Sequence, residues 1–136
     1  MGLFDKLKRN LKQADFSSWL DKHLSCDLSD GIVAVNFNLY DGENQTYDVE
    51  FVGCGSFDEN DEDWACDEVF TTRGDLFSIT QADNTNWQYG LSSTIALVKN
   101  YLDEGKYADK LKSYKAVGVG FVGGNIEIVY HTKCGF

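Results

Sequence analysis

GIVAVNFNLYDGENQTYDVEFVG, residues 31–53, alternates apolar and polar side chains twice around one turn. In an extended chain Val33, Val35, Phe37 and Leu39 fall on one side and Ala34, Asn36 and Asn38 on the other. Asp41-Gly42-Glu43-Asn44 has turn composition. Beyond it Tyr47, Val49 and Phe51 alternate with Asp48 and Glu50 up to about Gly53. The pattern predicts a β-hairpin with one buried face and one wet face.

A second hairpin is predicted for residues 115–131. Val117, Val119 and Phe121 alternate with Gly118 and Gly120, Gly123-Gly124-Asn125 supplies the turn, and Ile126, Ile128 and Tyr130 continue. Two glycines on one strand face leave room for a close neighbour. Gly118–Gly123 also spells the dinucleotide-binding pattern G-x-G-x-x-G. That motif requires a helix opening at the glycines to receive a pyrophosphate, and here they lie within a strand and its turn, so the reading is rejected.

Helical spacing flanks the hairpins. Leu3, Phe4, Leu7 and Leu11, then Phe16, Trp19, Leu20 and Leu24, recur at three- and four-residue steps, predicting a basic amphipathic helix over about 3–25, bent or in two pieces. Its basic face fits either a membrane surface or a solvated helix packed on a sheet. Asp83 or Thr85 can cap a central helix carrying Trp87, Leu91, Ile95, Val98 and Leu102, which Gly105 would end. Residues 107–113 suit one further helical turn, and Leu76–Thr80 a short strand. Trp19, Trp64 and Trp87 are the expected large anchors. Residues 55–75 read as an irregular acidic connection. The sum is an α+β fold: an antiparallel sheet of two or more hairpins, with N-terminal and central helices packed on one face. One domain is expected over 1–136, its sheet and central helix within about 31–131.

Acids outnumber bases 22 to 12, for a net charge of −10. Residues 1–24 hold five bases and three acids (+2), and the other 112 residues hold seven bases and 19 acids (−12). Such a surface repels phosphate backbones, argues against nucleic acid and attracts basic proteins. No apolar run is long enough to span a membrane. MGLFDKLKRNLKQ has charges where a secretory signal needs an apolar core, and Lys6 stands where a myristoylation signal wants Ser or Thr. A cytoplasmic protein with reduced thiols is therefore expected. Cys26, Cys54, Cys66 and Cys134 are scattered singly, without the close pairs of a zinc site, and read as four free thiols. No cofactor is expected.

Asp58-Glu59-Asn60-Asp61-Glu62-Asp63-Trp64-Ala65-Cys66-Asp67-Glu68 carries seven acids in eleven residues. A calcium loop counted from Asp58 fails, because Asp63 holds the sixth position where Gly is needed and Val69 the twelfth where Glu is needed. Either this is a solvated loop whose Trp packs inward, or Asp58, Glu59, Asp61, Glu62, Asp63, Trp64, Asp67 and Glu68 form a docking surface, with charge steering encounter and the aromatic ring anchoring it. Of the two imidazoles, His23 lies near Cys26 but beside Asp21 and Asp27, which disfavour a thiolate, and His131 lies about 13 Å along a strand from Glu127. No catalytic residue is assigned.

Residues 31–53, the stretch Asn60–Ala65 and the ending KAVGVGFVGGNIEIVY together resemble the small bacterial immunity proteins of contact-dependent inhibition and other polymorphic toxin systems. The resemblance implies an antidote that binds a toxin domain, often a basic nuclease, and blocks it without catalysis of its own. A small metal-binding or hydrolytic enzyme using residues 58–68 is the alternative expectation, and an adaptor with a membrane-surface N-terminal helix a further one.

Overall fold

The structure is a computed structural model. It describes residues 3–28, 30–42, 46–80 and 87–132, with side chains from residue 12 onward except at Thr80. Cys134, the capping positions Asp83 and Thr85, the turn residues Glu43 and Asn44, and the side chains of the first helical turns lie outside the described residues.

The two expected hairpins are present. Strand β1 (Ala34–Asp41) pairs antiparallel with β2 (Thr46–Cys54), and β5 (Ala116–Phe121) pairs antiparallel with β6 (Glu127–His131). Helix α1 runs unbroken over Leu3–Leu24, α2 over Trp87–Glu104 and α3 over Ala108–Lys112. Two short strands, β3 (Glu68–Thr71) and β4 (Phe77–Thr80), both pair with β2 along its outer edge. Among the described residues no helix is long and apolar enough to cross a membrane.

The hairpins meet through a parallel pair, β1 beside β5, which makes the sheet mixed, in the order β3–β2–β1–β5–β6 with β4 on the β2 edge. Parallel neighbours need a long crossover, and the segment between the hairpins supplies one through α2 and α3.

One face of the sheet carries the helices. Val35, Phe37 and Leu39 of β1, Val49 and Phe51 of β2, and Val117 and Val119 of β5 bury against Phe16, Trp19, Leu20 and Leu24 of α1 and Leu97, Val98, Tyr101 and Leu102 of α2. Each fully buried aliphatic or aromatic side chain contributes about 1.5–3 kcal/mol, so this layer supplies most of the driving force. The expected stripe on α2 is rotated slightly. Thr94, Leu97 and Tyr101 are buried with Val98 and Leu102, while Leu91 and Ile95 are half-buried. Trp87 is 55% exposed and lies at the stripe's edge, its ring 6.3 Å from Phe121, so of the three tryptophans only Trp19 and Trp64 are buried anchors. Gly105 ends α2 as expected, its N–H donating to Tyr101 O at 2.7 Å.

Trp19 and His23 tie α1 to the bend before β4. Trp19 Nε1 donates to Asp75 O at 2.9 Å, and His23 Nε2 lies 2.9 Å from Asp75 Oδ2, where Lys22 also pairs. The Lys22 hydrogen bond holds the Asp75 carboxyl below the usual range. His23 is thus engaged with Asp75, and the Cys26 thiol bonds instead to Lys22 O.

Candidate functional site

The second face of the sheet departs from the expectation of a wet surface. Asn36, Asn38 and Glu50 all point to this face, and all are buried. Two coverings account for it. Over one half of the face, Ala34, Val52, Cys54 and Ala116 form a small apolar cluster capped by Trp64. Over the other half, the β5–β6 turn and the acidic segment rise as walls around a cleft of about 510 Å³, floored by Asn36, Asn38 and Tyr40.

Strand register builds that floor. Asn38 of β1 stands opposite Glu50 of β2, and on its other side β1 places Asn36 beside Gly118 and Asn38 beside Gly120. A methyl group at Gly118 would come within 2.5 Å of Asn36 Oδ1, and one at Gly120 within 2.4 Å of Asn125 O. The missing side chains on β5 therefore let the asparagines and the turn come together. Gly123 has φ of +83°, a conformation that suits glycine, and it closes the turn at the rim.

Glu50, 0% exposed, is the only fully buried acid among the described residues. Tyr40 Oη donates to its Oε1, Asn38 Nδ2 donates to the same oxygen at 3.4 Å, and Arg73 Nε donates to Oε2 at 3.0 Å. Arg73 is 59% exposed and also bonds both oxygens of Glu68, so one guanidinium bridges the buried carboxylate and the rim. A buried charge is tolerated when it is paired and hydrogen-bonded in this way. Burial raises the Tyr40 hydroxyl pKa, and its hydrogen bond to Glu50 adds to the effect.

The acidic segment is ordered around Trp64. Asp58 Oδ1 accepts from Asn60 N at 2.9 Å, and Asp61 Oδ1 accepts from Asp63 N at 3.0 Å, capping a 3-10 helix over Glu62–Cys66. Glu62 Oε2 accepts from Ile126 N at 2.9 Å and joins the segment to the opposite wall. Trp64 is only 4% exposed and stacks edge-on against Phe57 with centroids 5.1 Å apart.

Of the eight residues expected to form a docking surface, Asp58, Glu59, Asp61, Glu62, Asp63, Asp67 and Glu68 are exposed together, and Trp64 is not. Its indole points into the molecule, where it replaces water over Cys54 and Val52. The aromatic ring is a fastener for the acidic segment rather than a contact offered to a partner.

Cys54 is buried, and burial pushes its thiol pKa up to about 12, whereas Cys26 and Cys66 are exposed. Among the described residues no three His, Cys, Asp or Glu side chains converge to hold a metal ion. The cleft floor and its carboxylate were not foreseen. Asn36, Asn38 and Glu50 were visible in the sequence as the polar side of a hairpin, but nothing there signalled that they would be covered. No family model, no curated protein and no solved structure matches this chain.

Proposed function

We propose that this chain is an acidic protein-binding module that neutralises a basic partner by direct, stoichiometric binding, in the manner of the immunity proteins it resembles. The observation that carries the reading is the rim at residues 58–68, where seven carboxylates stand exposed on a backbone fixed by turn hydrogen bonds and by buried Trp64. A fixed anionic rim speeds encounter with a cationic surface and loses little conformational entropy on docking. Only Glu68 of the seven is drawn into an ion pair with a described cation. The net charge of −10 extends the same field over the molecule. A cytoplasmic antidote to a toxin domain, a nuclease among the candidates, fits these properties.

The test is capture of the partner from lysate of the protein's own source at low and at high salt, followed by an assay of that partner's activity with the purified protein. The expected result is one basic protein, held at low salt, released at high salt and inactivated at a 1:1 ratio. A partner that keeps its activity in the complex, or that binds equally well when Asp58, Asp61 and Asp63 are reversed to Lys, removes the reading.

A further inference from the structure

Helix α1 does not keep its apolar residues on one side along its whole length. In its second half Phe16, Trp19, Leu20 and Leu24 are buried in the core, and Gln13 Nε2 donates to Leu97 O of α2 at 3.3 Å. These contacts fix which side of the helix meets the molecule. Ala14, Asp15, Ser18 and Lys22 stand on the other side, and all four are exposed. The helix is unbroken from Leu3 to Leu24, so register positions can be carried back along it. About eleven residues make three turns and return to the same side. Three turns before Phe16, Trp19, Leu20 and Leu24 stand Asp5, Lys8, Arg9 and Gln13. Three turns before Ala14, Asp15, Ser18 and Lys22 stand Leu3, Phe4, Leu7 and Leu11. The apolar stripe therefore changes sides between the two halves of one continuous helix.

Periodicity alone joins the two stripes into one amphipathic helix, and the core contacts separate them. An apolar stripe at register positions opposite the helix's own core side needs another apolar surface to cover it. Charge indicates which. Lys6 and Lys8 fall roughly 100° to either side of the stripe, at its borders, and Arg9 and Lys12 fall behind it. Asp5 is the only acid before Asp15. Leucines and a phenylalanine bordered by lysines are the pattern of a helix lying in the interface of an anionic bilayer, where lysine stems extend toward the phosphates. Repulsion from the acidic body is screened beyond about 8 Å at physiological ionic strength, so the nearest charges, which are basic, decide the attraction. A second copy of this chain is a poor cover, because two stripes meeting face to face would bring the bordering lysines of both copies together.

We propose that residues 3–11 of α1 dock on an anionic lipid surface. Leu3, Phe4, Leu7 and Leu11 enter the boundary between headgroups and acyl chains, and Lys6 and Lys8 pair with headgroup phosphates. This site does not rest on the basic partner proposed above.

The test is flotation of the intact protein, at physiological ionic strength, with vesicles of phosphatidylcholine alone and of an equimolar mixture of phosphatidylcholine and phosphatidylserine. Binding is expected to the mixed vesicles and not to phosphatidylcholine alone. Leu7→Glu should weaken it about tenfold or more, the effect of withdrawing one large apolar side chain from the bilayer. Lys6→Glu combined with Lys8→Glu should weaken it by a similar factor. Ser18→Gln, on the same side of the helix but outside the stripe, should bind as the unaltered protein does. All of these variants should keep its melting temperature, because none of the substituted positions is on the core side. The proposal is overturned if the protein ignores the mixed vesicles, or if Leu7→Glu binds them as tightly. A melting temperature lowered by Leu7→Glu would place the stripe against the protein's own interior and overturn it too. So would capture of an acidic protein through Leu7 without any binding to vesicles, which would assign the stripe to a groove on that protein.

Discussion

Glu50 shows how a single side chain sets the character of a whole face. A carboxylate at 0% exposure must be held by donors, and Tyr40, Asn38 and Arg73 are all recruited to it. Tyr40→Phe removes one donor from a buried anion and should destabilise the protein by about 1.5–3 kcal/mol, the usual range for a hydrogen bond to a charged group. Combined with Glu50→Gln, which removes the charge, the total loss should be smaller than the sum of the two single losses, because the residues act on one network. Urea denaturation of the four proteins measures this, and strict additivity would refute the coupling. Cys54 gives a second prediction at this scale. Its thiol pKa is raised by burial from an ordinary 9.0 to about 12, so the neutral thiol is the form the fold accommodates. Its contribution is intact below pH 9 and is lost as pH rises toward 12. Burial also raises the hydroxyl pKa values of Tyr40, Tyr101 and Tyr114, and these add to the alkaline loss. The melting temperature should fall as pH is raised above 9, with the fall beginning later in Cys54→Ala. An identical onset in the variant would assign the alkaline loss to the tyrosines alone.

Among the elements, the 3-10 helix at Glu62–Cys66 depends most on one residue. It is short, its first turn is acidic, and its sole buried side chain is Trp64. Trp64→Ala should cost about 3–5 kcal/mol, as for other large core truncations, and should abolish hydrogen-exchange protection at Asp63 and Asp67, whose N–H groups bond within this turn. Protection unchanged at those amides would show that the segment is held by its caps and by Glu62. The tryptophan was visible in the sequence, but its direction was not, because a charge run has no period from which to read an inward side. For the same reason β3 was missed: Glu68-Val69-Phe70-Thr71 is four residues long, continues the acidic run and has no alternation. The hairpins and α2 were legible because Val33–Phe51 and Val117–Tyr130 alternate at period two and Leu91–Leu102 recurs at helical steps. Periodicity names the two sides of a strand without saying what covers each. Asn36, Asn38 and Glu50 thus read as a wet face, and only the parallel register of β1 with β5 reveals the glycines that bring a wall over them. That pairing joins residues about eighty positions apart and leaves no local trace.

For the molecule as a whole, charge is the dominant property, and its distribution makes the binding proposal testable through kinetics. Residues 25–136 carry 19 acids against seven bases, and the rim at 58–68 concentrates seven of those acids on a fixed backbone. Fields of this kind act mainly on encounter: opposite charge raises the association rate, whereas dissociation depends on close contacts formed afterwards. The informative variant keeps the backbone and removes only charge. Asn retains the oxygen with which Asp58 and Asp61 cap their turns, so Asp58→Asn, Glu59→Gln, Asp61→Asn and Asp63→Asn together should leave the 3-10 helix intact. With the captured partner, the association rate of this variant should fall by about tenfold or more at low salt, with little change in the dissociation rate. As salt is raised toward about 1 M, where the screening length shrinks to about 3 Å, the two proteins should converge. Stopped-flow association across a salt series makes the measurement. A loss confined to the dissociation rate would mean that the carboxylates are contacts in the closed complex, and equal association rates at low salt would mean that the rim takes no part in finding the partner.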